Sequence, residues 1–201
     1  MFRIGVKLNK IYFDIIESTH TYAKQLEKKE NGIVIIANNQ TGGIGTNGRK
    51  WYTGYGKNIA MTMVFTPKCN VSKLDGLTIQ IAEFMQETIM ELYNIKLDIK
   101  EPNDLMLNGK KIGGILTEIR SQGKKVLYLL ISIGFNVLET DFDEATSLIA
   151  TSLLKEEMHK EEIKERSNNK KEKNKKEAME NKFNKEKIID KFIQKIELKM
   201  I

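Results

Sequence analysis

The chain has 201 residues, 40% of them hydrophobic, which suits one domain of good size or a domain with a small appendage. Its single cysteine, Cys69, excludes an intrachain disulfide framework and any multi-cysteine metal site, and no segment approaches the ~20 apolar residues of a membrane-spanning helix. The net charge of +6 is dispersed, with 18 basic against 16 acidic residues in 1–154 and 12 against 9 in 155–187, so no basic face interleaved with aromatics speaks for a nucleic-acid partner. The first ten residues contain no acid and no apolar signal core, so the expected location is cytoplasmic, with an organelle-targeting sequence left open.

In chain order, a short strand leads to Ser18-Thr19-His20-Thr21, an N-cap sequence, then a helix over Tyr22–Lys29 that Asn31-Gly32 closes. His20 has no metal cluster or catalytic triad to join in the sequence, and the other histidine, His159, sits in a charged stretch. Ile33–Ala37 reads as an apolar strand and Ile59–Phe65 as an alternating one. Between them lie six of the fourteen glycines, from Gly42 to Gly56. Such a connection reads as a ligand loop: its backbone N–H groups can approach an anion closely, and Arg49 and Lys50 add charge.

From Ser72, Leu74, Leu77, Ile81, Phe84, Thr88 and Leu92 recur every three or four residues, the stripe of a helix packed on a sheet, which Asn94 closes. Ile95–Lys100 alternates as a half-exposed strand, and Pro102 then stiffens a bend that presents Asn103 and Asp104. Asn108-Gly109 between Leu105–Leu107 and Lys111–Leu116 is a strong hairpin signal, because a type I′ turn needs positive φ at both central residues. Lys125–Phe135 supplies a further buried strand. From Lys155 to Lys187 the sequence is Lys/Glu/Asn-rich with almost no apolar periodicity, so a disordered or solvated-helix insertion is expected, a long charged helix being the rival. Ile188, Ile189, Phe192, Ile193 and Ile196 restore a helical stripe. The expected units are a domain over 1–154, the charged insertion over 155–187, and a last helix over 188–201 that packs back on the domain.

Four ordered motifs resemble those of the biotin protein ligase family, over roughly residues 11 to 153 and the last helix. Gln40, Gly43, Gly45, Gly48, Arg49 and Trp51 stand where the family's glycine/arginine loop has them. Lys100-Glu101-Pro102-Asn103-Asp104 resembles its Lys-Trp-Pro-Asn-Asp; Asn108-Gly109-Lys110-Lys111-Ile112-Gly113-Gly114-Ile115-Leu116-Thr117-Glu118 matches its hairpin closely. Ser132-Ile133-Gly134-Phe135-Asn136 resembles its Gly-x-Gly-x-Asn. The resemblance implies an α/β (α+β) fold of the class II synthetase-like biotin/lipoate ligase type, with a mixed, largely antiparallel sheet and helices on one face.

It further implies an enzyme that activates biotin with ATP to biotinyl-5'-AMP and passes biotin to a lysine of a biotin carrier domain, with Mg2+ carried by ATP and no protein metal site. Lys111 would meet the biotin carboxylate and the α-phosphate, with Asp104 and Arg49 as electrostatic partners. Ser18 and Thr19 would line the ureido pocket. Gln40, Gly43, Gly45, Gly48, Trp51, Asn58, Asn103, Gly113, Gly114, Ser132, Gly134 and Asn136 would border the ligands. Four positions depart from the family: Ile44 and Thr46 replace arginines, Glu101 a tryptophan, and Ser132 the first glycine. These 201 residues contain no reading of the family's small carboxy-terminal domain or of the DNA-binding domain of its repressor members. A lipoyl or octanoyl transferase of the same fold, and a non-catalytic biotin-ligase-like binding protein, are the alternatives.

Overall fold

The computed structural model describes residues 7–168 and 175–200. Its strands are β1 (Asn9–Ile16), β2 (Ile33–Gln40), β3 (Ile59–Phe65), β4 (Asp98–Lys100), β5 (Asp104–Leu107), β6 (Lys110–Gln122) and β7 (Lys125–Phe135). They form one sheet in the order β1-β2-β3-β7-β6-β5-β4. Only the β1–β2 pair is parallel, as a strand pair joined through a helix must be when the connection crosses over. The other neighbours run antiparallel, so the sheet is mixed and largely antiparallel, as expected.

The helices are α1 (Thr19–Gln25), α2 (Leu77–Tyr93), α3 (Glu144–Ile149), α4 (Leu153–Asn168), α5 (Lys175–Lys182) and α6 (Lys185–Met200). Strand side chains alternate between faces, and the two faces are covered differently. Val34, Ile36, Met61, Met63, Ile131 and Ile133 pack with α2 residues such as Ile81 and Met85 and α6 residues such as Ile189 and Phe192. The opposite face carries a small cluster of Ile35, Val64, Leu130 and Ala23 of α1. The two long core helices thus share one face, while short α1 covers part of the other and leaves the rest of that face for a ligand.

Local chemistry moves some element ends. The first helix begins at Thr19 and stops at Gln25, rather than covering Tyr22–Lys29. Ser18 Oγ accepts the Thr21 N–H at 3.3 Å, and the Lys29 ammonium takes the carbonyls of Lys24 and Leu26, ending the helix a turn early. The helix expected from Ser72 is interrupted: a 3-10 turn over Val71–Leu74 gives way at Gly76, φ +75°, before α2 begins. Asn94, φ +53°, closes α2 as expected by donating to Met90 O at 2.9 Å. Residues of the charged stretch are helical in α4 and α5, and Met158, Met179 and Phe183 bring them against the core. The middle of the expected insertion, 169–174, lies outside the described residues.

Candidate active site

The glycine-rich connection is a folded loop. Gly43 O accepts Trp51 N–H at 2.8 Å, Gly45 N–H donates to Arg49 O at 2.7 Å, and Ile44 bridges Lys50 around a 3-10 turn over Thr46–Gly48. A Cβ at Gly43 would overlap the Trp51 carbonyl, which is why the closure needs glycine there. The far end of the loop is pinned by a buried acid. Glu139, 1% exposed, accepts from Lys57 Nζ at 3.0 Å and from the N–H groups of Thr140 and Asp141 at 3.1 and 3.0 Å. The Lys57 ammonium, hydrogen-bonded to that carboxylate, is held above the ordinary lysine range.

The closed loop carries Trp51 back over the sheet. Across β3, β7 and β6, Ala60, Gly134 and Gly114 are register partners, so three small residues form a trough. The indole lies in it: a Cβ at Gly134 would come within 2.5 Å of Trp51 Nε1 and 2.7 Å of Cζ2. Trp51 Nε1 is buried without a hydrogen-bond partner among the described residues, a donor that a ligand group could satisfy.

At one end of the cleft stands Lys111. Asn108 and Gly109 take φ +51° and +78°, so the hairpin turns with two positive φ values and aims the following strand. Lys111 Nζ donates to Asp104 Oδ1 at 2.6 Å and lies 5.7 Å from the Trp51 ring centroid. A Cβ at Gly114 would sit 3.4 Å from both Lys111 Cε and Nζ, so glycine leaves the lysine room to lie along its own strand. Asn103 donates to Ile115 O at 3.1 Å and accepts Ile115 N–H on its carbonyl at 2.9 Å, fixing the Asp104 bend to β6.

The other end is a floor of hydroxyls. Thr62 and Leu116 are the register partners of Ser132 on either side. Thr62 Oγ1 lies 2.9 Å from Thr19 Oγ1 and 2.8 Å from Ser132 Oγ, and Ser132 Oγ lies 2.8 Å from His20 Nδ1. Gln40 Oε1 accepts from Thr19 N and Oγ1 at 2.8 and 3.0 Å. His20 Nε2 reaches Glu118 Oε2 at 3.1 Å, and Lys24 Nζ reaches the same carboxylate at 3.0 Å. Burial alone would raise Glu118, but the hydrogen bonds from Lys24 and His20 outweigh it and hold the carboxyl below the ordinary glutamate range. Folding brings Glu118, His20 and Ser132 together from three separate elements, contacts that no spacing in the sequence announces.

The cleft, about 430 Å³ with its open mouth, brings together Thr19, Gln40, Gly45, Trp51, Asn103, Lys111, Gly114, Ser132 and Gly134 of the expected site, and adds His20, Ile44 and Thr46. Asp104 reaches it through Lys111. Other expected residues stand outside its lining. Ser18 caps α1; Gly113 packs on the core side, where a Cβ would meet Phe135 Cδ2 at 2.7 Å; Gly48 shapes the loop turn at φ +70°. Asn58 Oδ1 accepts Val137 N–H at 3.0 Å, and Asn136 Nδ2 donates to Thr151 O at 3.0 Å, both tying backbone segments together. Arg49 is exposed and turned onto its own loop, with Nη2 3.2 Å from Thr46 Oγ1. The unexpected members had a weak signal: Thr62 is the lone hydroxyl in an otherwise apolar strand, and Glu118 follows Gly114 and Leu116 at period two.

Known proteins resemble this chain in sequence and fold. The sequence model of the Biotin/lipoate A/B protein ligase family matches residues 12–136. The bifunctional ligase/repressor BirA of Bacillus subtilis is 36% identical over 147 residues, covering 69% of this chain but 45% of the relative. Thus the chain spans less than half the length of that relative. The biotin protein ligase from Aquifex aeolicus in complex with biotin and ATP superposes with TM-score 0.63 at 23% identity, over 95% of this chain and 72% of the neighbour. The biotin protein ligase from Leishmania major in complex with biotinyl-5-AMP gives 0.66 at 22% identity, over 94% and 73%.

Proposed function

This chain belongs to the Biotin/lipoate A/B protein ligase family, and from that premise we propose that it is a biotin protein ligase. It joins the biotin carboxylate to the α-phosphate of ATP, releasing pyrophosphate, and then passes the biotinyl group from the mixed anhydride to a lysine of a carrier domain, releasing AMP. The observation that carries this reading is the layout of the cleft, with a cation at one end, a polar floor at the other and an aromatic ring over a glycine trough between them. Named relatives and neighbours with biotin and ATP support the same chemistry.

Each residue has a physical task. Negative charge builds on phosphoryl oxygens as the carboxylate attacks, and the Lys111 ammonium is placed to stabilise it, with Asp104 at 2.6 Å fixing its position. Gly134 lets the Trp51 indole lie close to the sheet and Gly114 leaves room for Lys111, while Trp51 offers a face for the adenine and an unpartnered N–H. Loop backbone N–H groups from Gly45 onward are candidates for the phosphates, and Arg49 would have to swing from Thr46 to join them. Asp104 is engaged by Lys111, so the fitting place for Mg2+ is on the ATP phosphates, where it would neutralise charge. No covalent enzyme intermediate is required.

The acceptor is proposed to be the biotin carrier domain of a carboxylase. No described helix is long and apolar enough to cross a membrane, and a cytoplasmic setting belongs to the same proposal. Residues 1–154 with the last helix would form the ligase unit, and 155–187 a charged insertion that touches its core through Met158, Met179 and Phe183. ATP–pyrophosphate exchange with biotin, lipoate and octanoate in turn tests the function. Exchange driven by biotin supports the ligase; exchange driven by lipoate or octanoate instead, or none at all, refutes it.

A further inference from the structure

The hydroxyl floor is one chain of hydrogen bonds, and its protons can be counted. Gln40 Oε1 is the terminal acceptor, because the Thr19 backbone N–H at 2.8 Å can only donate. The same oxygen takes the Thr19 hydroxyl proton at 3.0 Å. A hydroxyl has one proton to give. Thr19 has therefore given its own and accepts from Thr62 at 2.9 Å; Thr62 then accepts from Ser132 at 2.8 Å. Ser132, its proton committed to Thr62, can only accept from His20 Nδ1–H at 2.8 Å. On the other side of the ring, Nε2 faces Glu118 at 3.1 Å. That carboxyl, held ionised by Lys24 and the imidazole, has no proton to donate. Both ring nitrogens must donate.

We infer that His20 is a specificity-determining residue of the cleft. Protonated on both nitrogens, it turns every floor hydroxyl toward Gln40, so that Ser132, Thr62 and Thr19 offer lone pairs to a ligand head group bearing N–H donors. Each of the three oxygens has accepted once and keeps one lone pair. On the biotin ligase reading, on which the ligand half of this inference rests, that head group is a cyclic urea with two N–H groups. Ser132, standing where the resembling family has glycine, is the link by which the imidazole reaches the floor. Glu118, His20 and Ser132 have the composition of a hydrolytic triad, but the proton count runs the other way. Ser132 gives its proton to Thr62, and no base receives it for nucleophilic attack.

The charged groups meeting this imidazole assembly are Glu118 from β6 and Lys24 from the same helix, while β7 and β3 present the Ser132 and Thr62 hydroxyls, and Lys111 lines the same cleft.

Two readouts test this. Nitrogen-15 shifts of the imidazole in His159→Gln, which leaves His20 as the lone histidine, should show two protonated nitrogens at neutral pH. A deprotonated Nδ1 overturns the inference whether or not a ligand binds. Calorimetry on the full chain should then show weaker biotin binding by His20→Phe, which has no ring nitrogen to donate to Ser132. Glu118→Gln, which removes the carboxylate facing Nε2, should weaken biotin as well. Ser132→Ala should weaken biotin about fivefold to tenfold, the worth of one neutral hydrogen bond. A cyclic carbamate analogue, with one ureido N–H replaced by oxygen, should lose affinity for the parent and lose less for Ser132→Ala. Biotin affinity unchanged by His20→Phe and by Ser132→Ala overturns the specificity role. A parent chain that binds no biotin refutes the ligase reading and the ligand half with it, while the nitrogen shifts still decide the proton count.

Discussion

Gly134→Ala tests the trough in which Trp51 lies. The added methyl carbon would stand 2.5 Å from Nε1 and 2.7 Å from Cζ2 of the indole. Carbon atoms prefer about 3.5–4.0 Å, so the ring must retreat by about 1 Å. A strand in the middle of the sheet will not give way, since Gly134 pairs with both Ala60 and Gly114. The loop will move, being held at this point by the Trp51–Gly43 backbone bond of 2.8 Å. Stability should fall by about 1 kcal/mol, the low end for overpacking. Stacking of a base on an aromatic ring is worth about 1–3 kcal/mol, so ATP affinity should fall by about fivefold to a hundredfold. Trp51 is the single tryptophan, so its emission reads the displacement directly, and calorimetry reads the affinity. In a Trp51→Ala background Gly134→Ala should add little to the loss, because the two residues act through one contact. An unchanged emission maximum together with unchanged ATP affinity would refute the reasoning.

Further outcomes can be checked in the same preparation. Lys111→Ala should lower pyrophosphate exchange by about a hundredfold to a thousandfold, as removal of a preorganised charge stabiliser does, with an unchanged circular dichroism spectrum; exchange at the parent rate would remove Lys111 from the mechanism. Thr46→Arg should slow release of biotinyl-adenylate in the absence of carrier, by up to about the 1.5–3 kcal/mol of a charge-assisted hydrogen bond, because Thr46 lines the cleft; stoichiometric, long-lived retention by the parent would sink this idea. Phe192→Ala, at a site with 0% exposure, should cost about 3–5 kcal/mol in urea unfolding; a loss below about 1 kcal/mol would mean that α6 is not part of the core. Limited proteolysis should cut first within 155–187, and initial cuts in Gly113–Asn136 would contradict the proposed domain division.

Much of the fold was legible because it rests on local periodicity. The β3 and β7 strands, the Asn108-Gly109 hairpin and the α2 stripe follow from alternation, positive φ and three-to-four spacing. What local pattern could not set was the side of the sheet each helix takes. Seven residues of α1 carry one fully buried apolar side chain, Ala23, and nothing in so short a stripe distinguishes the crowded face from the open one. Element ends escaped for a similar reason. The early stop of α1 depends on the Lys29 ammonium returning to the Lys24 and Leu26 carbonyls, and the break before α2 on the left-handed backbone of Gly76.

For the site, residues with unusual backbone demands could be read, and residues made functional by distant partners could not. Gly134 and Gly114 signal close approach, and Lys111 is aimed by the two-residue Asn108-Gly109 turn. Arg49 shows the converse: its motif position was plain, yet its guanidinium rests on Thr46, so its place in the chemistry depends on a loop movement. His20 and Glu118 are 98 residues apart, and His20 and Ser132 are 112 apart. Neither pairing has a spacing rule, because the sheet's strand order, not the chain, makes them neighbours. Cross-strand register is the missing step: once Thr62 and Leu116 are known to flank Ser132, Glu118 follows two residues on, and α1 lying on that face must bring its only histidine to them. A polar residue in a buried strand is therefore best read together with its register partners, since burial obliges it to find a hydrogen bond and the partners decide with whom.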